Sequence, residues 1–332
     1  MSRSRVKSVD MHNQDPLFLT ISSSTSAKNT LNFVQVEKET YTYRHLQKLE
    51  FDVVIQDAVA AHFKNQMFIF VIGFTMNNYH SENCLYFYQS MKMQDLLEGK
   101  AQFTPKLNTF NERLKSLQIV GEDIYALSDD KIHSFNLIKK KFTKHYQHKD
   151  NTIALGEFQR NPKSPVIYVS QQNSIHRIEQ GRLSATLPST HLMDVNSISV
   201  NTNKQHQILT TANENFVKFW DLRKPSQPNF VLNHHQSLVT TASFNKFYDQ
   251  VVLFATDSGN LFLYGANDIS SRVLISEKVP ENRLLHQYSF VLDDYVQGGV
   301  WSENDAWLFA ATTRGKGYFD VIQQGLKFEI MF

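Results

Sequence analysis

The sequence lacks the features that mark a secreted, disulfide-bonded or membrane-spanning protein. Cys84 is the one cysteine among 332 residues, which excludes an intramolecular disulfide and a zinc site built from cysteines. The longest apolar run, Met67–Met76, has about half the length that a membrane span requires. The N-terminal segment contains no apolar core of the kind found in a secretory signal. We therefore expect a soluble protein of a reducing compartment, the cytoplasm.

An excess of charge of one sign is also missing. Lysine and arginine together number 34, against 32 aspartates and glutamates, so the net charge is only +2. A field this weak does not draw a protein to nucleic acid or to an anionic membrane. Nucleic-acid or histone binding is one functional alternative, but it requires a basic stripe or an acidic ring. The sequence shows neither.

Motifs for catalysis and for metal binding are absent from the sequence. Only 12 glycines occur, none of them in a phosphate-binding loop, and Cys84 has no identifiable base beside it. None of the 13 histidines shows the spacing of a metal-binding pair on a helix. We therefore expect a protein that is not an enzyme and that holds no cofactor and no metal.

What the sequence does contain is a repeat. The segment Ile208–Arg223 consists of an apolar run, a short polar turn and a second apolar run that ends in the dipeptide Trp220-Asp221. This pattern is typical of a WD40 repeat. Similar pairs of short runs, broken by Ser, Asn, Asp or Gly, recur along the chain and predict paired strands. They are centred on residues 17–36, 67–89, 119–135, 166–178, 208–221, 251–265 and 307–322.

The repeats predict an all-β protein, a seven-bladed WD40 β-propeller that uses residues 1–332 as a single domain. One WD40 repeat cannot bury its own apolar faces, so several must pack side by side. Seven repeats in 332 residues give about 47 residues each, close to the roughly 40–45 of this class. Two long connections, Ser90–Ser116 and Asn267–Gln287, account for the excess. We expect them to emerge on the faces, as partner-binding loops or as tolerated insertions.

The clearest repeat is predicted to contain a buried polar network with a structural role. His191 would precede the first strand, Thr210 would lie in the second, Glu214 in the next turn and Trp220 in the third strand. These side chains would satisfy one another's hydrogen-bonding groups inside the blade. Glu214 stands where Asp is usual, and its greater length favours a network that is only partial. Other histidines at repeat boundaries are expected to play the same role: His45, His234 or His235, and His286.

The C-terminal half of the chain resembles the EARP- and GARP-interacting WD40 protein family. Within His191–Ser271 the matching features are the turn Asn201-x-Asn203-Lys204, the strand end Val217–Arg223, the strand and turn Phe244–Val251, and Ile269–Ser271. The end of the chain is similar to the last blade of that family, and the matching positions are Trp301, Trp307–Ala310, Gly315 and the hydrophobic tail Leu326–Phe332. Over Leu17–Gln89 the resemblance is visible only in strand order and loop length.

The resemblance implies a non-enzymatic scaffold that binds the EARP and GARP vesicle-tethering complexes. Such an adaptor would act in endosomal recycling, in retrograde traffic from endosomes to the trans-Golgi network, and in sorting of secretory-granule cargo. It would be a monomeric subunit of a larger assembly, cytoplasmic and peripheral at these membranes. Neither terminus carries a lipidation motif, so we expect membrane contact only through partners.

A second hypothesis comes from the residues that follow Trp220. Asp221 and Arg223 complete the pattern Trp-Asp-x-Arg, which is similar to the motif of propellers that serve as substrate receptors of cullin-RING ubiquitin ligases. In this alternative Asp221 and Arg223 would contact the adaptor subunit of the ligase. Many WD40 repeats place a basic residue there by chance, so the motif alone does not decide between a tether adaptor and a ligase receptor.

Overall fold

The computed structural model describes residues 3–11, 15–24, 28–40, 42–77, 80–102, 106–148, 155–160, 164–188, 190–233, 237–249, 251–265, 284–289, 296–305, 308–313 and 316–321. Within these segments the chain forms 27 β-strands and a single short helix, α1 (Met93–Leu97). The prediction of an all-β protein is confirmed.

Strands that follow one another along the chain pair in antiparallel fashion, four at a time, in the first half of the molecule. The first sheet contains β1 (Arg3–Val9), β2 (Leu17–Ser23), β3 (Asn29–Val36) and β4 (Tyr43–Phe51). The second contains β5 (Val54–Phe63), β6 (Gln66–Asn77), β7 (His80–Lys92) and β8 (Lys106–Phe110). The third contains β9 (Ser116–Val120), β10 (Asp123–Leu127), β11 (Lys131–Asn136) and β12 (Lys141–Gln147).

The same order continues in the second half. The fourth sheet contains β13 (Leu155–Arg160), β14 (Val166–Gln171), β15 (Ser174–Glu179) and β16 (Arg182–Leu187). The fifth contains β17 (Val195–Val200), β18 (Gln207–Ala212), β19 (Val217–Asp221) and β20 (Phe230–Leu232). The sixth contains β21 (Val239–Phe244), β22 (Val251–Thr256), β23 (Asn260–Gly265) and β24 (Leu284–Ser289). The last contains β25 (Gly298–Trp301), β26 (Leu308–Thr313) and β27 (Lys316–Val321).

The sheets are arranged as a ring. The first strand of each sheet contacts the first strand of the next sheet, and β25 contacts β1. Six sheets have the four antiparallel strands of a complete propeller blade, so the predicted β-propeller is confirmed. The sheet of β25 to β27 has three strands among the described residues, so the count of seven blades stays a prediction.

The second and third strands of the sheets are the pairs that the repeat pattern marks in the sequence. They are the most buried strands, because neighbouring sheets cover both of their faces. All six residues of β18 and all six of β22 are buried. The fourth strand lies at the edge of its sheet, and in β16 only the last of six residues is buried. Uninterrupted apolar runs therefore identify the middle strands and leave the edge strands without a clear signal.

The apolar core lies between neighbouring sheets. Leu209 and Phe219 of the fifth sheet pack in one cluster with Phe254 of the sixth. A second cluster joins Phe70 of the second sheet to Phe135 of the third. Burying one such side chain stabilises the fold by roughly 1.5–3 kcal/mol, so each sheet depends on the next for its stability.

The long connection Ser90–Ser116 was predicted to emerge as a loop on a propeller face, and this prediction is wrong. Its described residues form the end of β7, then α1 and β8. Met93 and Leu96 of α1 are buried in the core cluster of the first two sheets. Gln47 Nε2 donates a hydrogen bond to the carbonyl oxygen of Ala101 at 2.6 Å, which holds this segment against β4. Of the other connection, Asn267–Gln287, residues 267–283 lie outside the described part of the chain.

The predicted placement of the boundary histidines between sheets is wrong for two of them. His45 lies in β4 and is exposed, and His286 lies in β24, so both belong to fourth strands and not to the segment between sheets. His234 and His235 lie outside the described residues. Among these histidines, only His191 is described in a segment between two sheets, and it is part of the candidate site.

Candidate interaction site

The structure brings the four predicted network residues together in the fifth sheet. His191 precedes β17, Thr210 lies in β18, Glu214 lies in the turn before β19, and Trp220 lies in β19. Trp220 Nε1 donates to Thr210 Oγ1 at 2.9 Å, and Thr210 Oγ1 lies 2.8 Å from His191 Nε2. His191 Nδ1 lies 3.0 Å from Glu214 Oε2. All four side chains are buried, and they form one continuous hydrogen-bonded chain that joins β18 and β19 to the segment before β17 and to the turn before β19.

The protons of this chain can be assigned from its geometry. Burial raises the pKa of the Glu214 carboxyl, but hydrogen bonds from His191 and from two backbone N–H groups outweigh burial and hold the pKa below its usual value. Burial lowers the pKa of His191. Glu214 is therefore ionised and His191 is neutral. His191 carries its proton on Nδ1, and this N–H donates a hydrogen bond to the carboxylate of Glu214. The hydroxyl of Thr210 then donates to His191 Nε2.

The expectation that Glu214 would leave the network partial is wrong. Its longer side chain reaches the imidazole with Oε2, and Oε1 accepts the backbone N–H groups of Leu192 and Met193 at 2.6 and 2.8 Å. The carbonyl oxygen of Glu214 accepts the N–H of Val239 at 3.0 Å, at the start of β21. Glu214 therefore holds the segment before the fifth sheet and the first strand of the sixth in one place.

Asp221 and Arg223 lie at the other end of β19 from Glu214. Asp221 is buried, whereas 62% of the Arg223 side chain is exposed. Arg223 Nε lies 2.9 and 3.0 Å from the two carboxylate oxygens of Asp221, and Nη2 also contacts Oδ2. The hydrogen bond from Arg223 lowers the pKa of Asp221. The guanidinium is thus fixed against the carboxylate of its own repeat, while its outer edge faces solvent.

A second carboxylate, Glu112, organises the third sheet and was missed from the sequence. It precedes β9 and accepts hydrogen bonds from Lys131 Nζ at 2.5 Å and Ser128 Oγ at 3.2 Å. Its Oε2 also lies 3.0 Å from His133 Nε2. Glu112 occupies the place along the chain that His191 takes in the fifth sheet. The repeat there has no Trp-Asp dipeptide, so the available signal was an acidic residue just before a first strand.

A third carboxylate, Asp57, joins three sheets near the centre of the ring. It lies in β5 and is fully buried. Its carboxylate accepts the N–H of Leu117 in β9 at 2.8 Å, and it pairs with Lys7 and Arg5 of β1 at 3.3 and 3.6 Å. The signal for this contact in the sequence is a lone acidic residue inside the apolar run of β5.

Turns at the opposite ends of the strands repeat one structure. Asn201 Oδ1 accepts the N–H groups two and three residues later, at 3.0 and 2.9 Å, and Asn245 Oδ1 does the same at 2.8 and 2.9 Å. Ser302 Oγ accepts in the same way, at 3.1 Å twice. Asparagine and serine favour such turns because their side chains replace a backbone acceptor. The turns at Asn201 and Asn245 are among the features of the sequence that resemble the EARP- and GARP-interacting WD40 protein family.

These turns are also linked to each other around the ring. Thr202 Oγ1 donates to the carbonyl oxygen of Lys246 at 3.4 Å, and Lys246 pairs with Glu303. The N–H of Glu303 donates to Ser8 Oγ of the first sheet at 2.8 Å. The contacts therefore run from the fifth sheet through the sixth and last sheets to the first, which joins the turns of these four sheets on this face.

Within the described segments, no group of three or more His, Cys, Asp or Glu side chains is arranged to hold a metal ion. No helix in the described part of the chain has the length and hydropathy of a membrane span.

The four-stranded blades and the hydrogen-bonded chain that runs from Glu214 to Trp220, the first residue of the Trp-Asp dipeptide, define the protein class as a WD-repeat β-propeller. No protein-family model matches the chain. Curated relatives do match it. The chain is 27% identical to the EARP-interacting protein homolog of Gekko japonicus over 164 residues, which cover 44% of this chain and 42% of that protein.

Two further relatives carry related names. Identity to the EARP and GARP complex-interacting protein 1 of Homo sapiens is 24% over 164 residues, with the same coverage of 44% and 42%. Identity to the EARP-interacting protein 1 of Caenorhabditis elegans is 27% over 135 residues, covering 36% of this chain and 37% of that protein. The matches span less than half the length of these relatives. The resemblance to EARP- and GARP-interacting proteins is confirmed.

Proposed function

We propose that the chain is a non-enzymatic adaptor that docks on EARP and GARP tethering complexes. The observation that carries this proposal is the similarity to three proteins named for that interaction. A ring of rigid sheets with short turns on its faces supports it, because such a scaffold presents binding residues without rearrangement. The similarity covers only part of each relative, so the partner is assigned to this chain as a proposal.

The adaptor proposal sets where and how the protein acts. Contact with membranes would be indirect, through the tether, at the trans-Golgi network and endosomes. The process served would be endosomal recycling, retrograde traffic to the trans-Golgi network and delivery of cargo to secretory granules. The chain would enter the tether as a monomeric cytoplasmic subunit and would bind no nucleic acid.

We further propose that the sheet of β25 to β27 is a seventh blade of one domain spanning residues 1–332. Its first strand contacts both β21 and β1, as an intervening blade would. Electron-microscopy class averages of the purified protein viewed along the ring axis test this proposal. Seven lobes are expected, and six lobes would contradict it.

The ligase-receptor alternative is not proposed. Asp221 already holds Arg223 through both of its carboxylate oxygens, and the three relatives reported above are named for tether complexes, not for ligases. One substitution separates the two hypotheses. Arg223→Asp would abolish binding to a ligase adaptor, whereas tether binding should be unchanged.

Affinity purification of the tagged full chain from its native cells, at physiological salt, tests the adaptor proposal. Mass spectrometry should identify EARP or GARP subunits in near-equal amounts with wild type and with Arg223→Asp. Recovery of a cullin and its adaptor with wild type, and of neither with Arg223→Asp, would contradict the proposal. Recovery of no tether subunit with either chain would also contradict it.

A further inference from the structure

Three exposed apolar side chains surround Glu214 where the fifth and sixth sheets meet. Leu192 and Met193 precede β17 and are 85% and 55% exposed, and Leu238 precedes β21 and is 45% exposed. Glu214 contacts both segments, through its carboxylate on one side and through its carbonyl oxygen and Val239 on the other. The segments that carry the three side chains are therefore both held by Glu214, and we name these side chains together the Leu192 surface.

The backbone beneath the Leu192 surface is fixed on both sides. The N–H groups of Leu192 and Met193 donate to Glu214. The N–H of Leu238 donates to Asp257 Oδ1 at 3.0 Å, and the carbonyl oxygen of Leu238 accepts the N–H of Asp257 at 2.9 Å. The apolar side chains thus project from a rigid frame. A surface held in place before binding loses less conformational entropy when a partner docks.

Among the described residues, two exposed carboxylates border the Leu192 surface. Asp194 follows Met193 directly and is exposed, and Asp257 is exposed beside Leu238. Lys218 of β19 is partly buried, and its Nζ donates to the carbonyl oxygen of Thr190 at 2.8 Å. Lys218 therefore lies beside the frame, while the two exposed aspartates border the apolar side chains. A partner that carries basic residues next to apolar ones would be complementary in both respects.

We propose that the Leu192 surface binds an amphipathic basic segment of a protein partner, in which apolar side chains contact Leu192, Met193 and Leu238 and flanking lysines or arginines face Asp194 and Asp257. This inference rests on the proposed function, since the partner segment would belong to the tether. It goes further by naming the surface and the chemistry of its partner. Arg223, at the opposite end of β19, lies outside this surface.

Isothermal titration of the full chain with purified EARP complex tests the proposal. The double variant Leu192→Ser with Met193→Ser should raise the Kd at least about tenfold, because side chains that become fully buried at the centre of an interface carry most of the binding free energy. Asp194→Lys should raise it roughly threefold by removing a favourable charge contact. Leu183→Ser is the matched control, because Leu183 is 47% exposed but lies on the edge strand β16. The control should bind like wild type.

The two serine substitutions should leave the fold intact, because the hydrogen bonds to Glu214 come from the backbone. Thermal melts monitored by circular dichroism check this. Failure of the wild-type chain to bind would overturn the proposed function. Tight binding by wild type and by the double variant alike would overturn only the Leu192 surface. Tighter binding by Asp194→Lys would overturn the basic chemistry of the partner.

Two further experiments test whether the Leu192 surface binds something other than an amphipathic basic segment. Overlapping peptides that tile the tether subunits should bind the wild-type chain only where apolar and basic residues alternate, and preferential binding of acidic peptides would overturn the proposal. Sedimentation velocity of the free chain should show the same monomer for wild type and double variant. If the wild-type chain is a dimer and the double variant is a monomer, the Leu192 surface binds a second copy of the chain, and this result would overturn the proposal.

Discussion

The fifth and sixth sheets are neighbours with the same order of strands, yet they fix their third strands by different chemistry. In the fifth sheet Trp220 faces Ile208 of β18, and its indole begins the polar chain to Glu214. In the sixth sheet Tyr264 faces Val252 of β22 at the matching position. The residues that match Thr210 and Glu214 are there Phe254 and Ser258.

Aromatic packing replaces the polar chain in the sixth sheet. The rings of Tyr264 and Phe230 are stacked, with centroids 5.9 Å apart and planes 13° from parallel. Phe219 of the fifth sheet lies 6.3 Å from Tyr264 and 5.6 Å from Phe230. The hydrogen-bonded chain holds strands within one sheet, whereas the aromatic cluster holds two sheets together. The polar chain that ends at Trp220 is therefore one of two ways in which the sheets of this protein are stabilised. A sheet without the Trp-Asp dipeptide, such as the sixth, still folds as a blade.

Truncating the aromatic cluster should have the largest effect on stability. Phe219→Ala leaves a cavity between the two sheets, and we expect the free energy of unfolding to fall by about 3–5 kcal/mol. Urea unfolding of both proteins measures the difference. Phe247→Ala is the control, because Phe247 is 47% exposed in a turn, and it should cost less than about 1 kcal/mol. Equal losses for the two variants would contradict the role of the cluster.

Removing the carboxylate of the polar chain should have the next largest effect. Glu214→Ala leaves His191 and two backbone N–H groups without their acceptor, at a cost of about 2–4 kcal/mol. The same urea titration measures it, with Asp194→Ala as an exposed-carboxylate control near wild type. If Glu214→Ala unfolds at the wild-type midpoint, the polar chain contributes nothing to the fifth sheet.

Replacing the indole by a ring without a donor makes the fifth sheet resemble the sixth. Trp220→Phe keeps an aromatic side chain but removes the hydrogen bond to Thr210, which costs about 1 kcal/mol or somewhat more. Thermal unfolding monitored by circular dichroism measures the shift. A loss as large as that of Phe219→Ala would show that packing of the indole, and not its hydrogen bond, is what matters.

The smallest expected effect is on the pH dependence of stability. The pKa of His191 is lowered in the folded state, so its neutral form gives stability that is fully present above pH 6.5 and is lost as the pH falls. The lowered pKa of Glu214 adds a loss below pH 4.5. His191→Gln should therefore lose less stability than wild type between pH 6.5 and 5, whereas Phe219→Ala should parallel wild type. Identical slopes for His191→Gln and wild type would contradict the assignment of protons.

The sequence predicted those parts of the fold in which burial leaves a strong pattern. The middle strands are buried on both faces and stand out as apolar runs, and the positions of His191, Thr210, Glu214 and Trp220 follow from one clear repeat. Edge strands such as β16 carry mostly exposed residues and have no comparable pattern. The sequence does not predict α1, because five residues are too few to show helical periodicity.

Contacts between elements that are far apart along the chain could not be predicted from the sequence. Asp57 meets Leu117 and Lys7 only because the ring brings β1, β5 and β9 together. The Leu192 surface likewise requires two segments that precede different sheets. Glu214 completes the network although Asp is usual at its position, because the backbone before β17 lies where the longer side chain can accept its N–H groups.

Sedimentation velocity of the purified chain mixed with purified EARP complex at physiological salt tests the proposed adaptor function most directly. We expect the chain to move with the complex in a one-to-one ratio and excess chain to remain as a separate slow species. A chain that sediments alone beside an intact complex would contradict the proposal that this propeller is a tether adaptor.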